Sequence, residues 1–236
     1  YNTIYYLNNC VIEIYMSDSP YLNIVPNPDI KLIGDDTYIY FKEDSTFTYT
    51  GPVDLTSIDV LCVGGGAGGG QYISGKSWGS AGGGAGEMAV AELSFNRNVK
   101  YTMTVGAGGT NVNGQGSSIQ NGDNIVLEVF GGGRGGDNGY ATINQGVNPF
   151  YGSGGGSSGE KNDNNNHDVP QIAIRKNTPQ NITYYANSGG KGAQSYSPSE
   201  DKDLASGGGG GGGALNGGAA AGGWEGGPGG DGRQWL

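Results

Sequence analysis

The sequence predicts an all-β protein with essentially no α-helix, in which a strand-rich part adjoins a glycine-dominated part. Three observations carry this. Runs of β-branched and aromatic residues recur with period two. No ten-residue stretch shows a 3.6-residue apolar stripe with caps. Of the 51 glycines in 236 residues, only Gly34 and Gly51 precede residue 61, and the other 49 lie beyond it.

The strands are taken in chain order. Val11 to Tyr15 and Thr37 to Phe41 are β-branched and aromatic, and TFTYT (Thr46 to Thr50) alternates cleanly. Gly51-Pro52 marks a turn before the apolar run Ile58 to Val63. Met88 to Leu93 and Val99 to Val105 read as a hairpin around Asn96-Arg97-Asn98. The second of these puts Val99, Tyr101, Met103 and Val105 on one face and Lys100, Thr102 and Thr104 on the other, the pattern of a half-buried antiparallel strand. Ile125 to Phe130 is a further strand.

Glycine blocks fall at 64–70, 82–86, 106–109, 131–136, 152–159, 189–192, 207–213 and 217–232, separated by polar and aromatic inserts. Flexible linkers are one reading, since Gly/Ser chains behave as random coil. Left-handed extended helices of three residues per turn, packed side by side, are the other. Glycine alone fits where such backbones touch, as at the axis of collagen. Ordering so much glycine is entropically costly, and a cooperative bundle offsets that cost where loose linkers do not. The bundle is the preferred reading.

Charge narrows the function. Twelve basic residues against 22 acidic ones give −10 and a pI near 4.4, a field that repels nucleic acid and anionic lipid. No apolar run reaches the length of a membrane span, and no cationic-then-apolar signal opens the chain. A start at Tyr1 is expected of a processed chain or a fragment. Cys10 and Cys62 have no metal or redox spacing, and Cys62, in an apolar strand, is read as a small buried hydrophobe.

Several motifs imitate catalytic sites. Gly64, Gly66 and Gly69 fit G-x-G-x-x-G, and Gly70 to Ser77 (GQYISGKS) fits the P-loop pattern. Both need a helix N-terminus to hold the phosphates, and the stretch after Ser77, WGSAGGGAG, cannot nucleate one. Two G-x-S-x-G matches, at Gly75 to Gly79 and Gly155 to Gly159, lack a following helix, and the sole histidine, His167, lies in a polar loop. NDNNNHD (Asn162 to Asp168), read as a calcium loop from Asp163, has Asp168 and Ile174 where the glycine and glutamate belong. Asp35-Asp36 and Glu43-Asp44 read as solvated faces. The expectation is no enzyme, no cofactor and no metal.

The stretches TYIYFKEDSTFTYTGPVDLTSIDVLCVGGGAGGG, GGGAGEMAVAELSFNRNVKYTMTVGAGG and GSSIQ…IVLEVFGGGRGG resemble the glycine-rich domain of bacteriophage tail-fibre and tail-tip proteins. The resemblance covers about Asp36 to Gly136, and the later glycine blocks follow the same style. It implies an antiparallel β-sandwich-like part joined to a polyglycine type II helix bundle, displayed at the distal end of a fibre. Three regions are expected: an N-terminal linker or attachment segment with a short strand (1–35), the β-rich glycine-rich part (36–136) and the bundle with its insert loops (137–236). Family chains often close on a final apolar strand, whereas GGDGRQWL ends this one, leaving a truncation or a different covering partner as alternatives.

The inserts are where recognition is expected. Their aromatic residues, Tyr72, Trp78, Tyr140, Phe150, Tyr151, Tyr184, Tyr185, Tyr196, Trp224 and Trp235, stand among Ser, Asn and Gly, the mixture of paratope loops. The competing reading of each is packing against the glycine core or beneath a loop. The resemblance implies a non-enzymatic adhesin on the virion, outside the cell, binding a bacterial surface protein or glycan. Its other partners would be tail or fibre subunits, in a homotrimer or at the tip of a trimeric fibre, with no nucleic acid and no membrane insertion. A structural fibre or baseplate component is the alternative, and a P-loop-like nucleotide binder is disfavoured. So is an ice-binding bundle, which wants a flatter face.

Overall fold

The structure, a computed structural model, describes residues 12–17, 21–33, 36–71, 80–137, 152, 153, 155, 156, 181–187, 189, 193–197, 202–206, 230 and 231. Among these it is all-β and antiparallel, without helix. Six strands form one sheet: β1 (Ile12–Ser17), β3 (Asp29–Ile33), β4 (Asp36–Phe41), β6 (Leu55–Val63), β7 (Met88–Phe95) and β11 (Ile182–Tyr185), in the order β11-β7-β6-β1-β4-β3. Five form a second: β2 (Leu22–Val25), β5 (Ser45–Tyr49), β8 (Lys100–Thr104), β9 (Ser117–Asn121) and β10 (Asn124–Val129), in the order β10-β9-β8-β5-β2. A separate two-stranded ladder pairs β12 (Ala193–Ser197) with β13 (Lys202–Ser206).

The two sheets pack face to face because the period-two patterns each supply one apolar face. Ile39, Phe41, Val60, Cys62, Ala89 and Phe95 from the first sheet meet Phe47, Tyr101, Met103, Ile119, Leu127 and Val129 from the second in one buried cluster. Aromatic rings bridge the sheets edge to face. Phe47 and Phe95 lie 5.4 Å apart between centroids, and Phe95 and Tyr101 lie 5.0 Å apart, the geometry favoured by ring quadrupoles. The predicted faces of β5 and β8 hold: Phe47, Tyr49, Tyr101 and Met103 are buried, and Lys100 and Thr102 are exposed. Cys62 is fully buried in the core, as its apolar strand predicted.

The predicted hairpin of Met88–Leu93 with Val99–Val105 does not form. β7 pairs with β6 and β11, whereas β8 pairs with β5 and β9 in the other sheet. The short connection between them crosses the sandwich, with Asn98 at φ 58 turning the chain. An Arg97 clamp, its N–H on Asp54 Oδ1 at 2.8 Å and its guanidinium on the Pro52 carbonyl at 2.6 Å, holds this corner. Crossing brings Phe95 and Tyr101 together edge to face in the core, one from each sheet. The segment expected to be a linker with one short strand supplies three strands: β1 lies between β4 and β6, β2 edges the second sheet, and β3 edges the first.

The glycine segments leave one end of the sandwich, where β6, β8, β10 and β11 end and β7 and β9 begin. Their bonds recur every third residue. Gly64, Ala67 and Gly70 donate to the carbonyls of Glu87, Gly84 and Ala81 (2.9, 2.8 and 2.9 Å). Glu87, Gly84 and Ala81 donate in turn to Phe130, Gly133 and Gly136 (2.8, 2.8 and 2.9 Å). Gly133 and Gly136 continue to Ser153 and Gly156 (2.9 and 3.0 Å), which close back on Ala85 and Gly82 (3.0 and 2.8 Å). Gly132 and Gly135 also reach Gly65 and Gly68, at 2.8 and 3.1 Å. A sheet ladder has period two, whereas these bonds step by three. The backbones touch so closely that a Cβ on Gly132 would sit 2.0 Å from the Gly84 carbonyl oxygen.

Three buried polar side chains join bundle to sandwich. Glu87 Oε2 accepts the Phe130 N–H at 3.0 Å. Ser117 donates its hydroxyl to the Val63 carbonyl at 2.7 Å and accepts from the Gly106 N–H at 2.9 Å. Ser153 accepts the Asn187 N–H at 3.1 Å. These side chains serve backbone groups where the sheet ladders stop, as buried polar groups require.

Candidate functional site

Among the described residues, the glycine segments 64–70, 81–86, 131–136 and 152–156 run between the sandwich and a remote end of the bundle, where three inserts start. At that end the Gln71 N–H donates to Asp137 Oδ1 at 2.5 Å, Gly70 donates to Ala81 at 2.9 Å, and Gly136 donates to Gly156 at 3.0 Å. Residues 71, 137 and 156 are those from which the chain enters 72–79, 138–151 and 157–180. One hydrogen-bonded cluster therefore launches three inserts. Asp137 also pairs with Arg134 three residues earlier, both largely buried, so the acid and the base neutralise each other beside the inserts. The Arg134 N–H reaches Asn113 Oδ1 at 2.8 Å and ties in a fourth connection, the turn between Gly109 and Asn113.

Of the predicted recognition residues, Tyr72, Trp78, Tyr140, Phe150, Tyr151, Trp224 and Trp235 lie outside the described residues, as do Lys76, His167 and the Asn162–Asp168 stretch. Tyr184 and Tyr185 are placed on strand β11 rather than in a loop, opposite Ala89 and Met88. Tyr184 shares the inward face with buried Ala89 and packs against the core cluster; Tyr185, on the other face, is half-buried. Tyr196 lies on β12, opposite Asp203. The structure thus brings the starts of three inserts together and sets Tyr184 apart as a packing residue.

Among the described residues of the two nucleotide-binding patterns, five N–H groups are taken up by neighbouring segments. The N–H groups of Gly64, Gly65, Ala67, Gly68 and Gly70 all donate to backbone carbonyls at 2.8 to 3.1 Å. A phosphate cradle needs such groups turned outward to an anion. Among the described residues no three His, Cys, Asp or Glu side chains gather as metal ligands, and no helix is long and apolar enough to cross a membrane.

Sequence reasoning missed four residues at this end: Gln71, Arg134, Asp137 and Asn113. Asp137 directly follows a glycine block and Asn113 directly precedes glycine, so a polar residue bordering glycine was the available signal. Asp44, read as part of a solvated acidic pair, accepts the Val105 N–H at 2.8 Å where β8 ends.

Fold and site define a class: an antiparallel β-sandwich that extends from one end into a hydrogen-bonded bundle of glycine segments bearing inserts. The chain belongs to the glycine-rich domain family, whose model matches residues 42–236. No curated protein and no solved structure matches it. The family match begins within the sandwich and extends through every glycine block.

Proposed function

We propose that the chain is a non-enzymatic attachment module, similar to a bacteriophage tail-fibre adhesin, that binds a bacterial surface protein or glycan through the inserts between its glycine segments. The observation that carries this is the Gln71–Asp137 bond of 2.5 Å beside the Gly136–Gly156 bond of 3.0 Å, which gathers the starts of three inserts. A cross-linked glycine scaffold limits the ordering cost of presenting loops, so more of the contact free energy is left for affinity. Tyr72, Trp78, Tyr140, Phe150 and Tyr151 belong to two of these inserts and supply large contact area with few rotatable bonds. The resemblance to phage tail-tip proteins supports the same reading, as does a net charge of −10, which suits a neutral partner. In that setting the chain is displayed outside the cell on a virion, beside other tail or fibre subunits.

The test is binding of the fluorescently labelled chain to a panel of bacterial strains. Saturable binding to some strains is expected, and alanine at Tyr72, Trp78, Tyr140, Phe150 and Tyr151 together should abolish it. Binding that survives deletion of every aromatic insert would sink the reading. A chain that binds no cell but assembles with neighbouring fibre subunits would instead be a structural component.

A further inference from the structure

Among the described residues, β3 (Asp29–Ile33) ends the six-stranded sheet, with β4 on one side and no strand on the other. Its register shows which backbone groups face outward. Ile33 pairs with Asp36 across only two intervening residues, so that pair exchanges its own N–H and C=O groups. Bonded and non-bonded pairs alternate along an antiparallel ladder. Lys31 and Asp29 therefore bond β4 in the same way, opposite Tyr38 and Tyr40. The N–H and C=O groups of Ile30 and Leu32 point away from β4, off the edge of the sheet.

The side chain of Ile30 is uncovered at the same place. Ile30 stands opposite Ile39, which is wholly buried, and so lies on the core face of the sheet. It is nevertheless 53% exposed, because it is the outermost residue of its row. Asp29 and Lys31 lie on the other face, Asp29 bonded to Lys42 and Lys31 over the Tyr40 ring at 5.0 Å. This edge presents what a further strand would use: outward ladder groups and an apolar side chain at the limit of the core.

We propose that β3 pairs antiparallel with β3 of a second copy about a twofold axis at Ile30, joining two six-stranded sheets into one. The proposal concerns the sandwich alone and is independent of the attachment reading. A second copy is favoured because the strand is complementary to itself. In a twofold pair the contacts are reciprocal, and the outward groups of Ile30 and Leu32 must meet one another. Three registers satisfy that. Centred on Ile30, the pair sets Asp29 against the second copy's Lys31 twice on one face and joins the two exposed Ile30 side chains on the other. Pro28, which has no N–H, then offers Leu32 only its carbonyl and ends the ladder. Centred on Lys31, the pair sets two ammonium groups against each other. Centred on Leu32, it offers Lys31 no carboxylate. Opposite charges facing each other stabilise a ladder and like charges oppose it, so charge selects the first register.

The experiment is sedimentation velocity of the full chain over a range of concentrations. A monomer–dimer equilibrium is expected. Lys31→Asp sets carboxylates against each other at both contacts and should weaken the dimer by roughly tenfold or more. Asp29→Lys should do the same. Combining Asp29→Lys with Lys31→Asp exchanges the charges, restores opposite pairs and should regain most of the parent's association. With Cys10→Ser as background, Ile30→Cys should form a disulfide between copies on mild oxidation, whereas Lys31→Cys, offset from its own copy, should not. Far-UV spectra and melting temperatures like those of the parent verify that the variants fold. The Lys42 pair that Asp29→Lys gives up is exposed and contributes little to folding. A parent that stays monomeric at the highest concentration, or that forms trimers, overturns the proposal. So does a dimer indifferent to Lys31→Asp, a charge exchange that restores nothing, or a disulfide through position 31 in place of 30.

Discussion

At the junction of sandwich and bundle, Glu87 and Phe130 bond to each other twice. The Phe130 N–H donates to the Glu87 carboxylate at 3.0 Å, and the Glu87 N–H donates to the Phe130 carbonyl at 2.8 Å. Glu87 is 1% exposed, so its carboxylate meets protein rather than water. It stands where a strand ladder of period two hands over to glycine bonding of period three, and its side chain satisfies a donor that neither pattern reaches.

Glu87→Ala removes that acceptor in a buried site and should lower stability by about 1–3 kcal/mol. Glu87→Gln keeps a carbonyl oxygen in place and should cost less. Urea unfolding followed by tryptophan fluorescence checks both. Equal stability of Glu87→Ala and the parent would show that the carboxylate holds nothing.

The bundle predicts opposite signs for two glycines of the same region. A Cβ on Gly132 would meet the Gly84 and Ala85 carbonyl oxygens at 2.0 and 2.7 Å, whereas one on Gly66 has its nearest neighbour at 3.8 Å. Gly132→Ala must push backbones apart and should destabilise by ~3 kcal/mol or more. Gly66→Ala should be neutral or stabilise by about 0.4–1 kcal/mol, because it removes freedom from the unfolded chain. Paired thermal melts read the contrast, and a similar loss at both positions would argue against the packing.

Tyr184 should behave as a core residue. It packs against the buried cluster from the inward face of β11. Tyr184→Ala is expected to lower stability by roughly 2 kcal/mol, less than truncating a fully buried aromatic costs. Tyr185→Ala, on the opposite face, should cost less. Chemical denaturation of the two variants side by side decides the order.

Among the described residues, Asp29 alone carries a pH prediction. The Lys42 ammonium, bonded to its carboxylate at 2.5 Å, lowers the Asp29 pKa below 3.8, first through the hydrogen bond and then through its charge. The folded-state value lies below the unfolded one, so the pair's contribution is complete above the ordinary carboxylate range. It is lost as pH falls through the depressed folded-state value. Lys42→Ala should move the Asp29 titration back upward, as followed by carboxyl carbon NMR. An unchanged titration would show that Lys42 is not the cause. The pair is exposed, so its effect on stability is small.

Some of this architecture was legible residue by residue. Val99, Tyr101, Met103 and Val105 announced a half-buried strand, and β8 buries Tyr101 and Met103 as that alternation requires. What alternation cannot say is which sheet a strand joins. Met88–Leu93 and Val99–Val105 look like hairpin partners because they are close in sequence and equally apolar, yet they face each other across the core. β2 and β3 were missed because LNIV and DIKLI are short and lie on sheet edges. Composition singled out a set of aromatic residues as candidates but did not separate Tyr184, whose partner strand β7 lies far earlier in the chain.

The sequence by itself determined the local chemistry of this protein: runs that form strands, a chain about two-tenths glycine, and an acidic balance. These arise from local sterics and charge, which each residue carries wherever it is placed. The tertiary structure alone decided that β7 and β8 lie in opposite sheets and that Gln71 and Asp137 meet. It also decided that Thr110, Asn111 and Val112 stand exposed in the turn that Asn113 ties to Arg134. Those outcomes depend on contacts between residues far apart in the chain. In a glycine segment every backbone group is alike, so only the packed bundle selects which N–H meets which carbonyl.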